Sequence, residues 1–389
     1  MSNNKSNKNN SNASVQYGDV AKALKKPQNN TTANNTTNNA QNNNKKAALP
    51  DTPVIAKNQL DTYVIGQDMA KIILSTSVYN HVLKKTFYEK NDGTNCQYNI
   101  EKSNILMVGP TGCGKTHLIK SIEKIWNKSI PFVIADATSL TATGYHGNDV
   151  IDILSNLYDA SGRNIPKAQW GIVYIDEIDK LAKPANGEVS DSITVNVQQE
   201  LLKMMEGATY TVPVGGKNSN GNSNSTVTMD TSNILFICGG AFPAMKEIIS
   251  NRTHLYDVPN IFLNVKTEDL VDFGLIPEFI GRCPVICPLE DMSTEMLVNI
   301  LTKPKNDIIG QYKRLVKIYG CGLEFTDDAL EAIAELAIEK KTGARALRTI
   351  LEEVLQPILY ILPSKAPNKR VIIDRSVVLE GAEPQIMGM

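Results

Sequence analysis

Short apolar runs punctuate the middle of the chain at 104–108, 131–135, 171–175 and 234–238, and between them lie longer stretches whose apolar residues recur at helical spacing. Continuous runs of four to six apolar residues suit strands buried on both faces, whereas apolar positions three and four apart suit helices lying against a core. Helices are predicted over 68–85, with Ile72, Ile73, Thr76, Tyr79 and Leu83 as one face, and over 117–126, 150–158 and 194–206. The intervals 84–102, 138–147 and 213–226 are polar or rich in Gly and read as loops. Strand alternating with helix predicts an α/β fold, a parallel sheet with helices on both faces. From about residue 289 the pattern changes. Helical stretches over 293–316, 327–340 and 344–362, with β-like pieces at 323–325 and 371–373, predict a second, small and mainly helical domain.

Residues 1–48 are dominated by Asn, Ser, Thr and Lys. With so little to bury, the ordering entropy is not recovered, and a disordered tail is expected. The domains are therefore expected at 49–288 and 289–380, with 381–389 as a short tail. A formal net charge of −1 argues against a chain that holds nucleic acid by bulk charge. No apolar run approaches the roughly 20 residues that span a bilayer. The N-terminus has neither the apolar core of a secretory signal nor the Arg-rich character of a transit peptide, so a cytoplasmic protein is expected. Six cysteines are scattered without a C-x-x-C pair, and Cys283 and Cys287 lack nearby histidines, which favours reduced, structural thiols over a zinc site.

The candidate chemistry sits at the end of the first apolar run. Gly109-Pro110-Thr111-Gly112-Cys113-Gly114-Lys115-Thr116 fits G-x-x-x-x-G-K-[ST], and it is flanked by the strand and helix that this phosphate loop requires. Its glycines let the backbone approach phosphates closely, and the N-terminus of the following helix, at Lys115, Thr116 and His117, favours anionic oxygens. Lys115 reaches the β- and γ-phosphates, and the Thr116 hydroxyl holds Mg²⁺. Cys113 is either a small residue that fits the loop or a thiol whose pKa the helix terminus lowers.

The run at 171–175 ends in Asp176-Glu177, and a strand buried in a sheet delivers such carboxylates to the edge where open α/β sheets bind ligands. Asp176 then completes the Mg²⁺ shell with Thr116, and Glu177 polarises the attacking water; a helix cap at a strand end is the plainer alternative. ATP and Mg²⁺ are the expected ligands.

Together with Tyr63-Val64-Ile65-Gly66-Gln67, Asp136-Ala137-Thr138-Ser139-Leu140, 172–180, 234–242, 274–282 and Thr342-Gly343-Ala344-Arg345, these motifs make the chain resemble the AAA+ ATPases, closely the ClpX unfoldase family, over roughly 50–380. The resemblance implies a large AAA+ P-loop domain followed by a helical lid domain. It also implies that Val64 and Ile65 pack on adenine, that Arg345 is a second sensor, and that Arg282 is an arginine finger acting on a neighbouring subunit. The ring it implies is a homo-hexamer. Read locally, a surface salt bridge is the alternative for each arginine. Tyr145, in Gly144-Tyr145-His146-Gly147, falls where the family has a pore loop that grips polypeptide, with His146 replacing valine; an ordinary turn is the alternative.

Several features depart from the family. The zinc-binding N-terminal domain is absent, and Gly215-Gly216-Lys217-Asn218-Ser219 replaces a basic loop at the pore entrance. Thr194-Val195-Asn196 replaces a Gly-Glu-Gly pattern. The segment that should hold the Ile-Gly-Phe loop for a ClpP-type peptidase is shorter than the resemblance implies and lacks the motif, so that partner is doubted; Ile261, Phe262 and Leu263 are the replacement to be weighed. The function read from all this is an ATP-driven protein unfoldase translocating unfolded or tagged proteins. A clamp-loader-like or helicase-like nucleic-acid remodeller is the alternative, although no nucleic acid or membrane partner is expected.

Overall fold

The apolar runs become neighbouring strands of one parallel sheet: β1 (Ile105–Val108), β2 (Phe132–Asp136), β3 (Ile172–Asp176), β4 (Leu235–Gly240) and β5 (Val285–Pro288), in the order β2-β3-β4-β1-β5. The computed structural model describes residues 52–90, 100–126, 130–141, 148–182, 192–214, 225–256, 258–364 and 368–388. The expected tail at 1–48 and the loop residues Tyr145, His146 and Gly215 to Ser219 lie outside the described residues.

Successive side chains of a strand point to opposite faces, and here each face has its own core. Leu106, Val108, Val173, Ile175, Phe236 and Cys238 join one cluster with α4 (Asp152–Ala160) and α5 (Ser192–Glu206). Ile105, Met107, Ile172, Tyr174, Leu235 and Ile237 join the other with α1 (Pro53–Asp61), α2 (Asp68–Lys90) and α3 (Lys115–Trp126). All four β1 side chains are completely buried, each contributing about 1.5–3 kcal/mol relative to exposure. That two-sided burial is why the runs of β1, β3 and β4 read as continuous rather than alternating, whereas β2, at the sheet edge, is only partly buried.

A third cluster gathers α7 (Thr294–Thr302), α8 (Ile308–Ile318), α9 (Asp327–Glu339) and α10 (Ala344–Ile361) around Leu297, Ile333, Leu347 and Leu351. Beside them lies a small sheet of β6 (Gly322–Phe325), β7 (Lys369–Ile373) and β8 (Gln385–Gly388). Among the described residues no helix is long and apolar enough to cross a membrane. Cys113, Cys238, Cys283, Cys287 and Cys321 are buried free thiols.

Several expectations need correction. Helix α2 runs on to Lys90, and its buried stripe is Ala70, Leu74, Val78 and Val82, while Leu83 and Thr76 are exposed and Ile72, Ile73 and Tyr79 are half-buried. Both stripes have helical spacing; packing against β5, in the cluster that also holds Ile105 and Met107, chose between them. The helix expected over 293–316 is two helices, because Asp307 caps the second by accepting from the Gly310 N–H at 2.6 Å. Part of the 213–226 loop belongs to an antiparallel hairpin of Thr209–Pro213 and Thr226–Asp230. The tail at 381–389 contributes β8, which pairs antiparallel with β7.

Helix α2 also carries a buried titratable group. His81 is 6% exposed, its Nε2 lies 3.0 Å from the Trp170 carbonyl, and its ring packs at 5.9 Å from the Trp170 ring. Burial, aided by the charges of Lys84, Lys85 and Lys102, lowers its pKa from 6.5 to about 4, against the raising effect of the Trp170 hydrogen bond. The unfolded chain takes up this proton below about pH 6.5 while the folded chain resists until about pH 4. Stability is therefore lost progressively over that window, by about 3 kcal/mol for this group. Denaturant unfolding at pH 7 and pH 4, compared between wild type and His81→Gln, measures it. The variant should lose less stability on acidification, and an equal loss in both proteins removes His81 as the cause.

Candidate functional site

The carboxyl ends of β1 and β3 meet at a cavity of about 1030 Å³ lined from both halves of the fold. Residues 109–114 turn there between β1 and α3, with Gly112 at φ +76° and Gly114 at φ +94°, backbone regions that side chains rarely adopt. Gly112 also has no room for more: a Cβ there would sit 2.0 Å from the Thr342 carbonyl oxygen. The Ala344 N–H donates to the Gly112 carbonyl at 3.2 Å, so the start of α10 rests directly on the loop. This contact brings Arg345 to the cavity wall with Val64, Ile65, Thr111, Gly112, Cys113, Gly114, Lys115, Thr116 and His117. Gly109 and Pro110 contribute carbonyls instead, both accepting from Lys115 Nζ, at 2.8 and 3.0 Å.

Across the cavity, the Thr116 hydroxyl donates to Asp176 Oδ2 at 2.6 Å. The other carboxylate oxygen accepts from the Tyr174 hydroxyl at 2.9 Å and from the Glu177 N–H at 3.0 Å. Tyr174 lies two residues back on the same strand and hence on the same face. Burial first, and then the Asp176 carboxylate, push its hydroxyl well above the ordinary range, so it remains a donor. Gly239 makes room for it, since a Cβ there would approach the Tyr174 hydroxyl to 2.2 Å. Glu177 turns the chain at φ 57° into the short helix Ile178–Leu181, and Asp179 Oδ1 ties that turn to β4 by accepting from the Ala241 N–H at 3.0 Å. A hydroxyl beside a carboxylate is a hard-oxygen pair suited to Mg²⁺, which takes one or two protein oxygens with the rest from water and phosphate. The phosphate loop and this donor pair therefore fit a metal–nucleoside phosphate.

Three residues of the site were given no role from the sequence. Tyr174 was signalled only as a polar tip inside an apolar run. Gln67, 1% exposed, donates to the carbonyls of Cys113 and Glu290 at 3.3 and 3.0 Å and accepts from the Glu290 N–H at 2.8 Å. It thereby binds the Val64–Ile65 segment to the phosphate loop and to the chain leaving β5. Lys124 extends over the Tyr63 ring, 4.5 Å from its centroid.

Arg282 stands apart from this cavity. Half-exposed, it donates through Nε and Nη2 to Glu206 Oε1, at 3.0 and 2.8 Å. The thiol of Cys113 is 1% exposed, and burial raises its pKa despite Lys115, which corrects the idea of an accessible, acidified thiol. Ile261 and Phe262 are core residues at 3% and 1% exposure, leaving only Leu263 of that trio accessible. Phe262 therefore cannot serve as a free docking tip.

A model of the AAA domain (Cdc48 subfamily) matches residues 100–286, and one of the C-terminal, D2-small domain of ClpB protein matches residues 292–372. The chain is 46% identical over 333 residues to the ATP-dependent Clp protease ATP-binding subunit ClpX 2 of Wolinella succinogenes, covering 84% of this chain and 82% of that protein. It is 41% identical over 356 residues to ClpX 3 of Methylococcus capsulatus, covering 85% and 81%. Against ClpX of Azotobacter vinelandii the identity is 43% over 342 residues, covering 83% and 77%.

Proposed function

The chain belongs to the ClpX family of AAA+ ATP-binding subunits, and from that membership and the site's geometry we propose an ATP-driven protein unfoldase that assembles as a homo-hexameric ring. The observation that carries the reading is the division of the polar and charged groups. Lys115, Thr116, Asp176, Glu177 and Arg345 line one cavity, while Arg282 faces away from it. A cavity that holds Arg345 but not Arg282, on a chain whose Arg282 is half-exposed outside it, suits an assembly in which each subunit lends Arg282 to the next one's site.

In this reading Val64 and Ile65 hold the base, the loop N–H groups and Lys115 hold the phosphates, and Arg345 reports nucleotide state, held at the cavity by the hydrogen bond from the N–H of its neighbour Ala344 to the Gly112 carbonyl. Thr116 and Asp176 hold Mg²⁺, which when bound neutralises charge on the β- and γ-phosphates. Glu177 orients the attacking water. The nucleic-acid alternative gains no support from this arrangement.

Tyr145, an aromatic flanked by glycines, is the proposed grip on translocating polypeptide, because apolar contact is indifferent to sequence. Tyr145→Ala should abolish unfolding of a tagged fluorescent protein while basal ATP turnover is largely retained. Adding a ClpP-type peptidase to the wild-type reaction should leave the unfolded substrate uncleaved, since the docking motif is missing from the sequence. ATP turnover stimulated by DNA but not by unfolded protein would overturn the unfoldase reading.

A further inference from the structure

Gln198 of α5 lies outside the nucleotide cavity and is completely buried, and both ends of its amide are in use. Its Nε2 donates to the carbonyl of Leu181, the last residue of the turn that begins immediately after Glu177. Its Oε1 accepts from the Ile276 N–H at 3.3 Å, and Ile276 is the N-cap of the short helix α6 (Pro277–Gly281). The C-cap of α6 is Arg282, which Glu206, the last residue of α5, holds through Nε and Nη2. The helix that carries the arginine is thus pinned to α5 at both of its ends, and one pin also grips the turn behind Glu177. Gln198 and Glu206 lie roughly 12 Å apart along the α5 axis, a rigid bar between the two pins. A buried amide satisfied at both ends resists losing either partner, because a polar group left unpaired in the core is costly, so its partners move together.

We propose that Gln198 is a positioning residue that couples a subunit's own hydrolysis site to the arginine it lends to its neighbour, so that displacement of the turn following Glu177 repositions Arg282. The inference rests on Arg282 acting in trans, as in the proposed function. It gives a ring a physical route for passing nucleotide state from one site to the next, through the contiguous contacts Glu177 turn, Leu181, Gln198, Ile276, α6 and Arg282.

Mixed rings test it. Wild-type subunits are combined with an excess of Glu177→Gln subunits, the latter either with intact Gln198 or with Gln198→Met, an apolar side chain of similar length. All hydrolysis then comes from wild-type sites, most of which receive their arginine from a Glu177→Gln subunit. With Gln198→Met in those donors, turnover per wild-type site should fall roughly 10–100-fold, the range for a misplaced catalytic group, and the Hill coefficient for ATP should move toward one. A residue that only supports the core would lower the melting temperature and leave per-site turnover unchanged, and that result overturns the proposal. A third mixture, with Arg282→Ala in the donors, must also lower per-site turnover; if it does not, the trans reading itself falls and takes the coupling with it. Should Gln198→Met subunits fail to enter rings, Glu206→Gln at the solvent-facing pin takes their place in the donors, and unchanged per-site turnover there likewise overturns the coupling.

Discussion

Glu177→Gln should keep nucleotide binding and lose turnover by roughly 10²–10⁴-fold, the contribution of a positioned proton acceptor. The substitution preserves size, and the site's other tethers do not involve this side chain: Asp176 is held by Thr116, by Tyr174 and by the backbone N–H of residue 177. The left-handed backbone at Glu177, with φ 57°, is set by β3 on one side and by the tie from Asp179 to Ala241 on the other, so a Gln there adopts the same turn. What changes is the group presented to water, which becomes an amide that does not accept the proton. Equilibrium binding of a fluorescent nucleotide should match wild type, while ADP release under saturating ATP falls. Turnover near the wild-type rate would take Glu177 out of the mechanism and leave it as a strand-end cap.

For Arg282→Ala the expected loss is larger, roughly 10³–10⁵-fold in ring turnover, the range for an arginine that stabilises transition-state charge. The plainer reading is the ion pair with Glu206 that the structure contains, at 52% and 41% side-chain exposure. Pairs this exposed contribute about 0–1 kcal/mol. Losing one would leave hydrolysis untouched, so the two readings differ by orders of magnitude in the measured rate. Nucleotide affinity of the isolated subunit should not change, since Arg282 does not line its own cavity. Mixing supplies the decisive comparison. Rings of Arg282→Ala alone and of Glu177→Gln alone should both be inactive. In a mixture, an intact Glu177 on one subunit meets an intact Arg282 on the next at a share of the interfaces, and activity returns. Failure to recover activity on mixing, with rings formed, would show that Arg282 does not act across an interface.

Much of the nucleotide site was legible in the sequence because its chemistry is local. The phosphate loop is a contiguous string with glycines where φ turns positive, and strand, loop and helix follow from a few residues on either side. The apolar runs at 104–108, 171–175 and 234–238 identified buried strands because two-sided burial leaves no alternation to misread, while the run at 131–135 became an edge strand with Ile134 exposed. Strands built otherwise escaped notice. The Thr209–Pro213 and Thr226–Asp230 hairpin buries only Val212 and Met229, so its pattern is mostly polar. β5 ends in Pro288, which an edge strand tolerates because no neighbour needs its N–H.

Sequence by itself determined the strands at the sheet's centre, most of the helices, the phosphate loop and the residue types available for catalysis. Tertiary structure alone decided which of them meet. Thr116 and Asp176 come within 2.6 Å because the order β3-β4-β1 and its parallel register deliver both loops to one edge. Helix α2 offered two apolar stripes of equal period, and the sheet face beneath selected Ala70, Leu74, Val78 and Val82. Gln67 and Gln198, ordinary polar residues in the sequence, became latches only once distant backbone groups were folded around them. The physical reason is range. Backbone preference and hydrophobic period act over a few residues and are written in consecutive positions, whereas a hydrogen bond between residues far apart in the chain depends on how whole layers stack, which no local pattern encodes.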